Sequence, residues 1–449
     1  APRRVAIAGS GPAGVAAAHD LAELGHEVTV FEALPVAGGM LAVGIPDFRL
    51  PPEVLEAEIQ RLQAKGVRFV LNTRLGREVT LEQLRGDYDA VLIATGAHRS
   101  RPLGLPGEEA AGVWMGLDFL RAVNLSQRGL AERPKNLGRV VVLGGGNTAF
   151  DAARVALRCE AEEVYVAYRR TREEVPAHPA EIAAAEEEGV RVLYLVQPVR
   201  LLKGARDEER GTSCLPASGA RERVVGVEFA HVLLGSPEAD GRRRPEPLPG
   251  SEFVLPADTV IVAVNQEPDT SFALSFTVDP TTLTTPWPGV FAAGDVVEGA
   301  GSVAKAIAAG RRAAAHIQRF LAGVELLPRA TAEPRAKADP WVALRRDFER
   351  RGRPALPQLA PRQRCTNFEE VERPLAPAAA QAEAQRCLAC GCGYGCDHCW
   401  PTCMYNAYDL VWGEPVIDRE RCDGCGFCAQ MCPHGLLEMT PVEEGFPRD

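Results

Sequence analysis

Ten cysteines stand close together near the end of this 449-residue chain, between Cys387 and Cys432, and three others are scattered before them. The last four have the spacing C-x2-C-x2-C-x3-C and precede a proline, which is typical of thiolates that bind an iron–sulfur cubane. Structural zinc sites also use paired C-x2-C spacings, so zinc stays an alternative. We expect no secretory signal ahead of the first strand, and hence a cytoplasmic protein in which these cysteines bind metal rather than form disulfides.

In ferredoxins of this spacing, the fourth cysteine of each run ligates the other cluster, so two [4Fe–4S] clusters need two runs. The best upstream run lies within Cys387–Cys403. The expected ligands are Cys392, Cys396, Cys399 and Cys432 for one cluster, and Cys422, Cys425, Cys428 and Cys403 for the other. Cys387 and Cys390 are surplus to eight ligands. They could replace Cys392, help to bind a further metal, or remain thiols.

A glycine motif of the form G-x-G-x-x-G follows the apolar run at 3–8, and an alanine-rich helical stretch follows the motif. A second strand at 27–31 then ends in an acid, Glu32. This strand–turn–helix–strand order predicts a dinucleotide-binding fold, because the glycines let the backbone approach a pyrophosphate and the acid can accept hydrogen bonds from a ribose. The candidate residues are Gly9, Gly11, Pro12, Ala13, Gly14 and Glu32.

The same pattern recurs, with a strand at 139–143, a glycine turn, a helix to about Arg158 and a strand at 163–168. Its candidate residues are Gly144, Gly146, Asn147, Thr148 and Ala149. In place of an acid, this second fold carries Arg169, Arg170 and Arg172. Guanidinium groups at that position favour a ribose 2′-phosphate, and therefore NADP(H) over NAD(H). A solvated basic turn is the alternative, because arginine dominates the basic residues of the whole chain.

Two further segments complete a framework: a strand at 89–97 that contains Thr95-Gly96, and a strand at 290–296 that contains Gly294-Asp295. Taken in order, the pieces GSGPAG, ATGA, GGGNTA and VFAAGDV resemble the flavoprotein disulfide reductase superfamily, whose members have two dinucleotide-binding folds. That resemblance implies FAD on the first fold, with Asp295 bonded to the ribityl chain.

A narrower resemblance is carried by segments 38–51, 168–176 and 383–390, which are similar to the small subunit of NADPH-dependent glutamate synthase and its relatives. It implies that Arg49 touches the flavin region and that 147–149 and the arginines hold NADP(H). The two resemblances together give the remaining candidate binding residues. They are Gly39, Met40, Thr95, Gly96, Gly294, Asp295, Ser302 and Val303 for FAD, and Asn265 for NAD(P)H.

The expected fold class is therefore α/β, with two Rossmann-like dinucleotide-binding domains and a small C-terminal ferredoxin-like iron–sulfur domain. A proline- and arginine-rich stretch before the cysteines predicts a linker, with one helix near 341–351. The expected division is 1–105 and 266–327 for FAD, 106–265 for NAD(P)H, 328–377 for the linker and 378–449 for the iron–sulfur domain.

Several functions are disfavoured. No cysteine precedes Cys159, so the pair of thiols needed for disulfide exchange beside the flavin is missing. The net charge of −10 argues against nucleic acid as the main partner, and no apolar run of about 18 residues predicts a membrane span. We expect a flavoprotein oxidoreductase in which the cofactors carry the chemistry and no side chain acts as acid or base.

The expected electron path joins NADP(H) or NAD(H), FAD and two [4Fe–4S] clusters to another redox subunit of a larger complex, or to ferredoxin. The alternatives are a glutamate synthase small subunit proper, the flavin subunit of an electron-bifurcating complex, and an assembly scaffold that keeps its cofactors.

Overall fold

The computed structural model describes residues 2–204, 222–237, 243–268, 270, 272, 276–324, 326, 342–343, 352, 354–385, 407–411, 414–418, 421–422, 425, 428, 430 and 438–439. The chain divides into two compact units. The first comprises residues 1–329 and 359–371, and the second comprises 330–358 and 372–449.

The strands of the described residues, in chain order, are β1 (Arg4–Ala8), β2 (Glu27–Phe31), β3 (Arg68–Val70), β4 (Ala90–Ile93), β5 (Arg99–Ser100), β6 (Val113–Met115), β7 (Arg139–Leu143), β8 (Glu163–Tyr168), β9 (Arg191–Tyr194), β10 (Val196–Gly204), β11 (Arg223–Pro237), β12 (Arg243–Pro247), β13 (Phe253–Pro256), β14 (Thr259–Val262), β15 (Gln266–Glu267), β16 (Val290–Ala292), β17 (Val342–Ala343), β18 (Tyr408–Val411), β19 (Glu414–Ile417) and β20 (Glu438–Met439).

The helices of the described residues are α1 (Pro12–Glu23), α2 (Met40–Val43), α3 (Pro52–Ala64), α4 (Leu81–Asp87), α5 (Gly116–Gln127), α6 (Asn147–Arg158), α7 (Pro179–Glu187), α8 (Asp295–Glu298), α9 (Val303–Leu321), α10 (Pro361–Arg364) and α11 (Pro377–Gln385). A single 3-10 turn spans Arg172–Glu174.

The first sheet of unit one has the order β16-β4-β1-β2-β3, and every pairing in it is parallel. Its strands read as short apolar runs because helices cover both faces, and Val5, Ile7 and Leu92 are fully buried. Helices α1 and α9 cross closely at Gly310, where a Cβ atom would lie 2.1 Å from the backbone oxygen of Ala13. The lack of a side chain at Gly310 therefore permits the close packing of these two helices.

The second sheet has the order β6-β14-β7-β8-β9, and it is also parallel throughout. Beside it lies an antiparallel sheet in which β11 pairs with β10, β12 and β13. The short strands β5 and β15 pair with each other, so the chain enters and leaves the second fold at one place. The expected α/β class with two dinucleotide folds is confirmed, whereas the residue bounds of the predicted domains stay predictions.

Residues 359–371, which the sequence places in the linker, belong to the first unit and pack on its two dinucleotide folds. The backbone N–H of Val371 donates to the carbonyl of Phe48 at 3.0 Å, and the ring of Phe368 lies 6.4 Å from the ring of Phe48. Arg364 forms an ion pair with Glu187 at 3.0 Å. This segment therefore contacts both folds, since Phe48 belongs to the first and Glu187 to the second.

In the second unit, β17 pairs with β20 and β18 forms an antiparallel hairpin with β19. The predicted helix near 341–351 is wrong at Val342–Ala343, because pairing with residues nearly one hundred positions away holds them extended. The remainder of that prediction lies outside the described residues. Among the described helices, none is long and apolar enough to cross a membrane.

Candidate functional site

A cavity of about 420 Å³ opens at the carboxyl edge of the first sheet, where ligands of open α/β folds bind. Most of the residues that the sequence assigns to FAD line it. They are Gly9, Gly11, Pro12, Ala13, Glu32, Gly39, Met40, Arg49, Thr95, Gly96, Asp295, Ser302 and Val303. Gly14 and Gly294, also assigned to FAD, do not line the cavity. Asn147 and Thr148 of the second fold line the same cavity.

The three glycines of the first motif have different geometric roles. A Cβ atom at Gly14 would lie 2.0 Å from the oxygen of Gly9, so this glycine permits close packing of helix and strand. Gly9 has φ +109°, which favours glycine, and a Cβ there would lie 2.3 Å from the oxygen of Ala94. At Gly11 nothing lies within 4 Å of that position. The space in front of Gly11 is thus a cradle that a side chain would fill, and it fits a pyrophosphate at the start of α1.

Glu32 is buried at the cavity wall with its carboxylate held in place. One oxygen accepts hydrogen bonds from the backbone N–H of Ser10 at 3.0 Å and from its hydroxyl at 2.5 Å. The other oxygen accepts from the backbone N–H of Leu34 at 2.9 Å. The oxygen bound to Leu34, Oε1, has a lone pair left for a further hydrogen bond, so the position fits the ribose contact expected of this acid.

Asp295 and Ser302 stand at the starts of two helices on the far side of the cavity. Asp295 opens α8, and burial raises the pKa of its carboxyl although a backbone hydrogen bond from Gly301 lowers it. The hydroxyl of Ser302 accepts from the N–H of Lys305 at 3.3 Å and caps the 19-residue helix α9. The positive end of the α9 dipole therefore opens on the cavity.

The structure adds lining residues that no motif indicated, among them Arg74, His98, Arg121 and Gln266. Burial lowers the pKa of His98 to about 4, assisted by the charges of Arg121 and Arg74, so its ring is neutral at pH 7. The Oγ1 of Thr95 and the Nε of Arg121 are buried and have no hydrogen-bond partner among the described residues. Orphaned polar atoms on a cavity wall fit a polar ligand.

Arg49 lies on the wall and is already bound to acids of the second fold. Its Nη1 donates to both carboxylate oxygens of Asp151, at 2.9 and 2.8 Å, and its Nε lies 3.0 Å from Glu181. Asp151, which also lines the cavity, was missed by sequence reasoning because an acid inside an alanine-rich helix carries no signal of its own.

The second glycine motif repeats the geometry of the first. Gly144 has φ +149°, and a Cβ there would lie 2.2 Å from the oxygen of Ala263, whereas nothing lies within 4 Å of that position at Gly146. Gly146 caps α6, so a second open cradle faces a helix N-terminus. This cradle fits the second dinucleotide.

Side chains beside this cradle are partly engaged with the protein. The Oδ1 of Asn147 accepts from the backbone N–H of His178 at 3.0 Å, and the Oγ1 of Thr148 accepts from Gln266 at 3.2 Å. Ala149 is fully buried. Asn265, predicted for NAD(P)H, does not line the cavity, and its carbonyl accepts from the N–H of Arg101.

The three arginines after β8 differ in their surroundings. Arg169 is exposed. Arg170 is buried, and its Nε donates to the carbonyl of Arg243 at 2.8 Å. Arg172 is bound through both terminal nitrogens to Glu186, at 2.5 and 2.7 Å. A 2′-phosphate would have to compete with Glu186 for Arg172.

Three of the predicted cluster ligands are described: Cys422, Cys425 and Cys428. They follow the β18–β19 hairpin, and the backbone N–H of Cys422 donates to the carbonyl of Asp418 at 3.0 Å. The other predicted cysteines lie outside the described residues, namely Cys387, Cys390, Cys392, Cys396, Cys399, Cys403 and Cys432. All of the individual site assignments stay predictions.

Comparison with known proteins identifies a family for the dinucleotide folds and another for the cysteine region. Residues 3–310 match the family model of pyridine nucleotide-disulphide oxidoreductases, and residues 415–438 match that of the 4Fe-4S binding domain. The second match contains the cysteine run that begins at Cys422. These matches confirm FAD and NAD(P)H as the cofactors of the dinucleotide folds and 4Fe-4S as the metal centre of the cysteine region.

Two relatives cover most of the chain. The chain is 44% identical over 409 residues to the NADP(+)-dependent formate dehydrogenase subunit beta of Moorella thermoacetica, with 86% of this chain and 54% of that protein covered. It is 38% identical over 339 residues to the glutamate synthase [NADPH] small chain of Escherichia coli, with 71% and 69% covered. The chain thus spans about half the length of the first relative.

A solved structure supports the fold. FprA of Mycobacterium tuberculosis, in complex with NADPH, aligns with a TM-score of 0.58 at 21% identity, over 72% of this chain and 85% of that one. The family models and the relatives confirm the resemblance drawn from the sequence, and the family model and the solved structure confirm the fold class. This chain belongs to the pyridine nucleotide-disulphide oxidoreductase family, with a 4Fe-4S binding domain after its two dinucleotide folds.

Proposed function

We propose that this chain is the NAD(P)H-linked flavin subunit of a larger redox system, and that it passes electrons to or from a partner through two [4Fe–4S] clusters. One observation carries the proposal. A single cavity is lined both by the FAD residues of the first fold and by Asn147 and Thr148 at the start of α6 in the second. The reacting ends of two bound dinucleotides would therefore share one enclosure.

The residues of the chain bind and orient rather than act as acids or bases. Gly11 and Gly146 provide the two cradles, Glu32 holds a ribose, and the start of α9 faces the cavity. Apolar wall residues such as Leu117 and Phe272 reduce the access of water. FAD, when bound, accepts a hydride from NAD(P)H and can release electrons singly to iron–sulfur centres.

NADP(H) is the preferred nucleotide in this proposal. The exposed Arg169 stands at the end of β8, where an acid would otherwise select NAD(H). Both relatives described above carry NADP(+) or NADPH in their names. These two observations favour NADP(H) over a solvated basic turn.

For the metal centre, the two-cluster assignment rests on the cysteine spacings. The 4Fe-4S match covers one run of four cysteines, and the upstream run supplies a second set. By the crossover of fourth ligands, eight thiolates hold two cubanes. The match to a 4Fe-4S model disfavours the zinc alternative.

The partner is another redox subunit, or ferredoxin, in the cytoplasm. The relatives are named as a beta subunit and as a small chain, and the names place them in a formate dehydrogenase and in a glutamate synthase. The formate dehydrogenase relative matches 86% of this chain, against 71% for the glutamate synthase relative. A redox partner other than the amidotransferase subunit of a glutamate synthase is therefore the leading choice.

The proposal is tested with protein purified without oxygen. We expect one FAD and about eight iron atoms per chain, and bleaching of the flavin band by NADPH. Cys425→Ser should preserve flavin reduction by NADPH but abolish reduction of a ferredoxin, whereas Cys214→Ser, a cysteine outside both ligand sets, should preserve both. Stoichiometric zinc without iron, or a flavin that NADPH does not reduce, would overturn the proposal.

A further inference from the structure

A buried chain of alternating charges runs from the cavity into the core of the second fold. It contains three arginines and three acids, so its formal charges cancel. In order of contact, its members are Asp151, Arg49, Glu181, Arg154, Glu188 and Arg158. Only its first two members line the cavity, as the Arg49–Asp151 pair.

The Arg49–Asp151 pair joins the two folds. Arg49 lies in the loop between α2 and α3 of the first fold, and Asp151 lies on α6 of the second. The two hydrogen bonds from Nη1, at 2.9 and 2.8 Å, place the guanidinium beside the carboxylate, and the side chain of Asp151 is only 7% exposed. The orientation of Arg49 is thus set by a residue that contributes no motif to either dinucleotide site.

The rest of the chain of charges supports this pair. Arg154 binds the second oxygen of Glu181 at 2.6 Å and, together with Arg158, binds the buried Glu188. The guanidinium carbons of Arg154 and Arg158 lie 4.7 and 3.8 Å from the ring centre of Phe48, the residue before Arg49. Packing and ion pairing therefore both hold the backbone around Arg49.

We propose that Asp151 is a positioning residue that sets the reduction potential of the bound flavin through Arg49. It holds the Arg49 guanidinium at the cavity wall and offsets its charge. The inference rests on the proposed function and on the expectation that Arg49 touches the flavin region. Reduction adds negative charge to a flavin, and a guanidinium beside it favours that charge, while a carboxylate bound to the guanidinium opposes it.

The sign of the effect follows from these charges. Asp151→Asn keeps an oxygen that can accept from Arg49 but removes the offsetting charge, so reduced flavin becomes more favourable. A charge within about 4–6 Å of a titrating group changes its equilibrium by about tenfold or more, and we take that lower bound for the flavin. For a two-electron couple, a tenfold change is a rise of about 30 mV.

The titration of Asp151 gives a second readout. Burial raises the pKa of its carboxyl to about 6, against the opposing charge of Arg49. Glu181 from α7 raises this pKa further and Arg154 from α6 lowers it, while Arg121 from α5 lines the same cavity. At pH 5.5 much of the wild-type carboxyl is already neutral, so the difference between wild type and Asp151→Asn should shrink there.

The experiment is a dye-referenced reductive titration of the flavin in the full chain, with iron–sulfur clusters loaded, at pH 8 and pH 5.5. We expect Asp151→Asn to raise the potential about 30 mV at pH 8, and by less than half of that at pH 5.5. Asp20→Asn, the same change on α1, should leave it unchanged. An unchanged potential in flavin-loaded Asp151→Asn at pH 8 would overturn the inference.

A second variant, Arg49→Gln, tests the inference independently if Asp151→Asn folds poorly. Arg49→Gln should lower the potential, and adding Asp151→Asn to it should change little, because a buried carboxyl without its arginine takes up a proton. A full Asp151→Asn effect in the Arg49→Gln background would show that Asp151 does not act through Arg49. Failure of wild-type FAD to bind or to accept electrons from NADPH would instead reject the proposed function.

Discussion

Gly11→Val should empty the flavin site without unfolding the protein. Gly11 has φ −67° and ψ −179°, an extended conformation that any residue adopts, and nothing lies within 4 Å of its Cβ position. The Cβ of a valine therefore meets no atom of the described residues outside its chain neighbours, and the side chain projects into the cradle that lines the cavity. The substitution should act on the ligand alone.

The expected magnitude follows from the contacts that the cradle can make. A pyrophosphate at the start of α1 accepts charge-assisted hydrogen bonds from backbone N–H groups, each worth about 1.5–3 kcal/mol. Loss of two such bonds would weaken binding by about 3–6 kcal/mol, and each 1.4 kcal/mol is tenfold. We therefore expect the Kd for FAD to rise at least about a hundredfold.

The assay measures bound flavin absorbance after desalting, and thermal unfolding of FAD-free protein, for Gly11→Val and two matched variants. Gly14→Ala should destabilise the fold by about 1–3 kcal/mol, because its Cβ would lie 2.0 Å from the oxygen of Gly9. Gly146→Val, at the equivalent open position of the second fold, should keep FAD and lose NADPH. If Gly11→Val retains full flavin absorbance, the first cradle does not hold the pyrophosphate.

Arg169→Ala should raise the KM for NADPH about tenfold with little change for NADH, and more than Arg172→Ala does, because Arg172 is engaged with an acid; a wild-type preference for NADH would contradict this. Glu188→Gln should lower the unfolding free energy in urea by about 3–5 kcal/mol, since it removes the buried carboxylate that pairs with Arg158 and leaves Arg154 with Glu181 alone. The neighbouring, exposed Glu187→Gln should lower it by about 1 kcal/mol or less, and equal losses would refute the role of burial. Cys425→Ser should halve the iron content from about eight, and an unchanged content would remove Cys425 from the ligands.

Short sequence patterns were sufficient to predict the two dinucleotide folds. The apolar runs predicted β2, β7 and β8 at the bounds that the structure has, and the second glycine turn predicted α6 to its last residue. Such elements can be predicted from sequence because a strand buried on both faces must be apolar along its length, and because a phosphate-binding turn needs glycine at fixed spacings. The cysteine spacing is equally local, since one loop must reach several corners of one cluster.

The ion pairs and pKa values of the site depend on the tertiary structure. The Arg49–Asp151 pair joins residues 102 positions apart, and the low pKa of His98 depends on burial beside Arg121 and Arg74. Arg172, which the sequence assigned to a phosphate, is bound to Glu186 by the placement of α7. Ion pairs and pKa values depend on distances across the fold, and a single sequence carries no periodic signal for a lone charge. The sequence thus determined which cofactors this chain can hold, whereas the packing of one fold against the other determined the charges that face them.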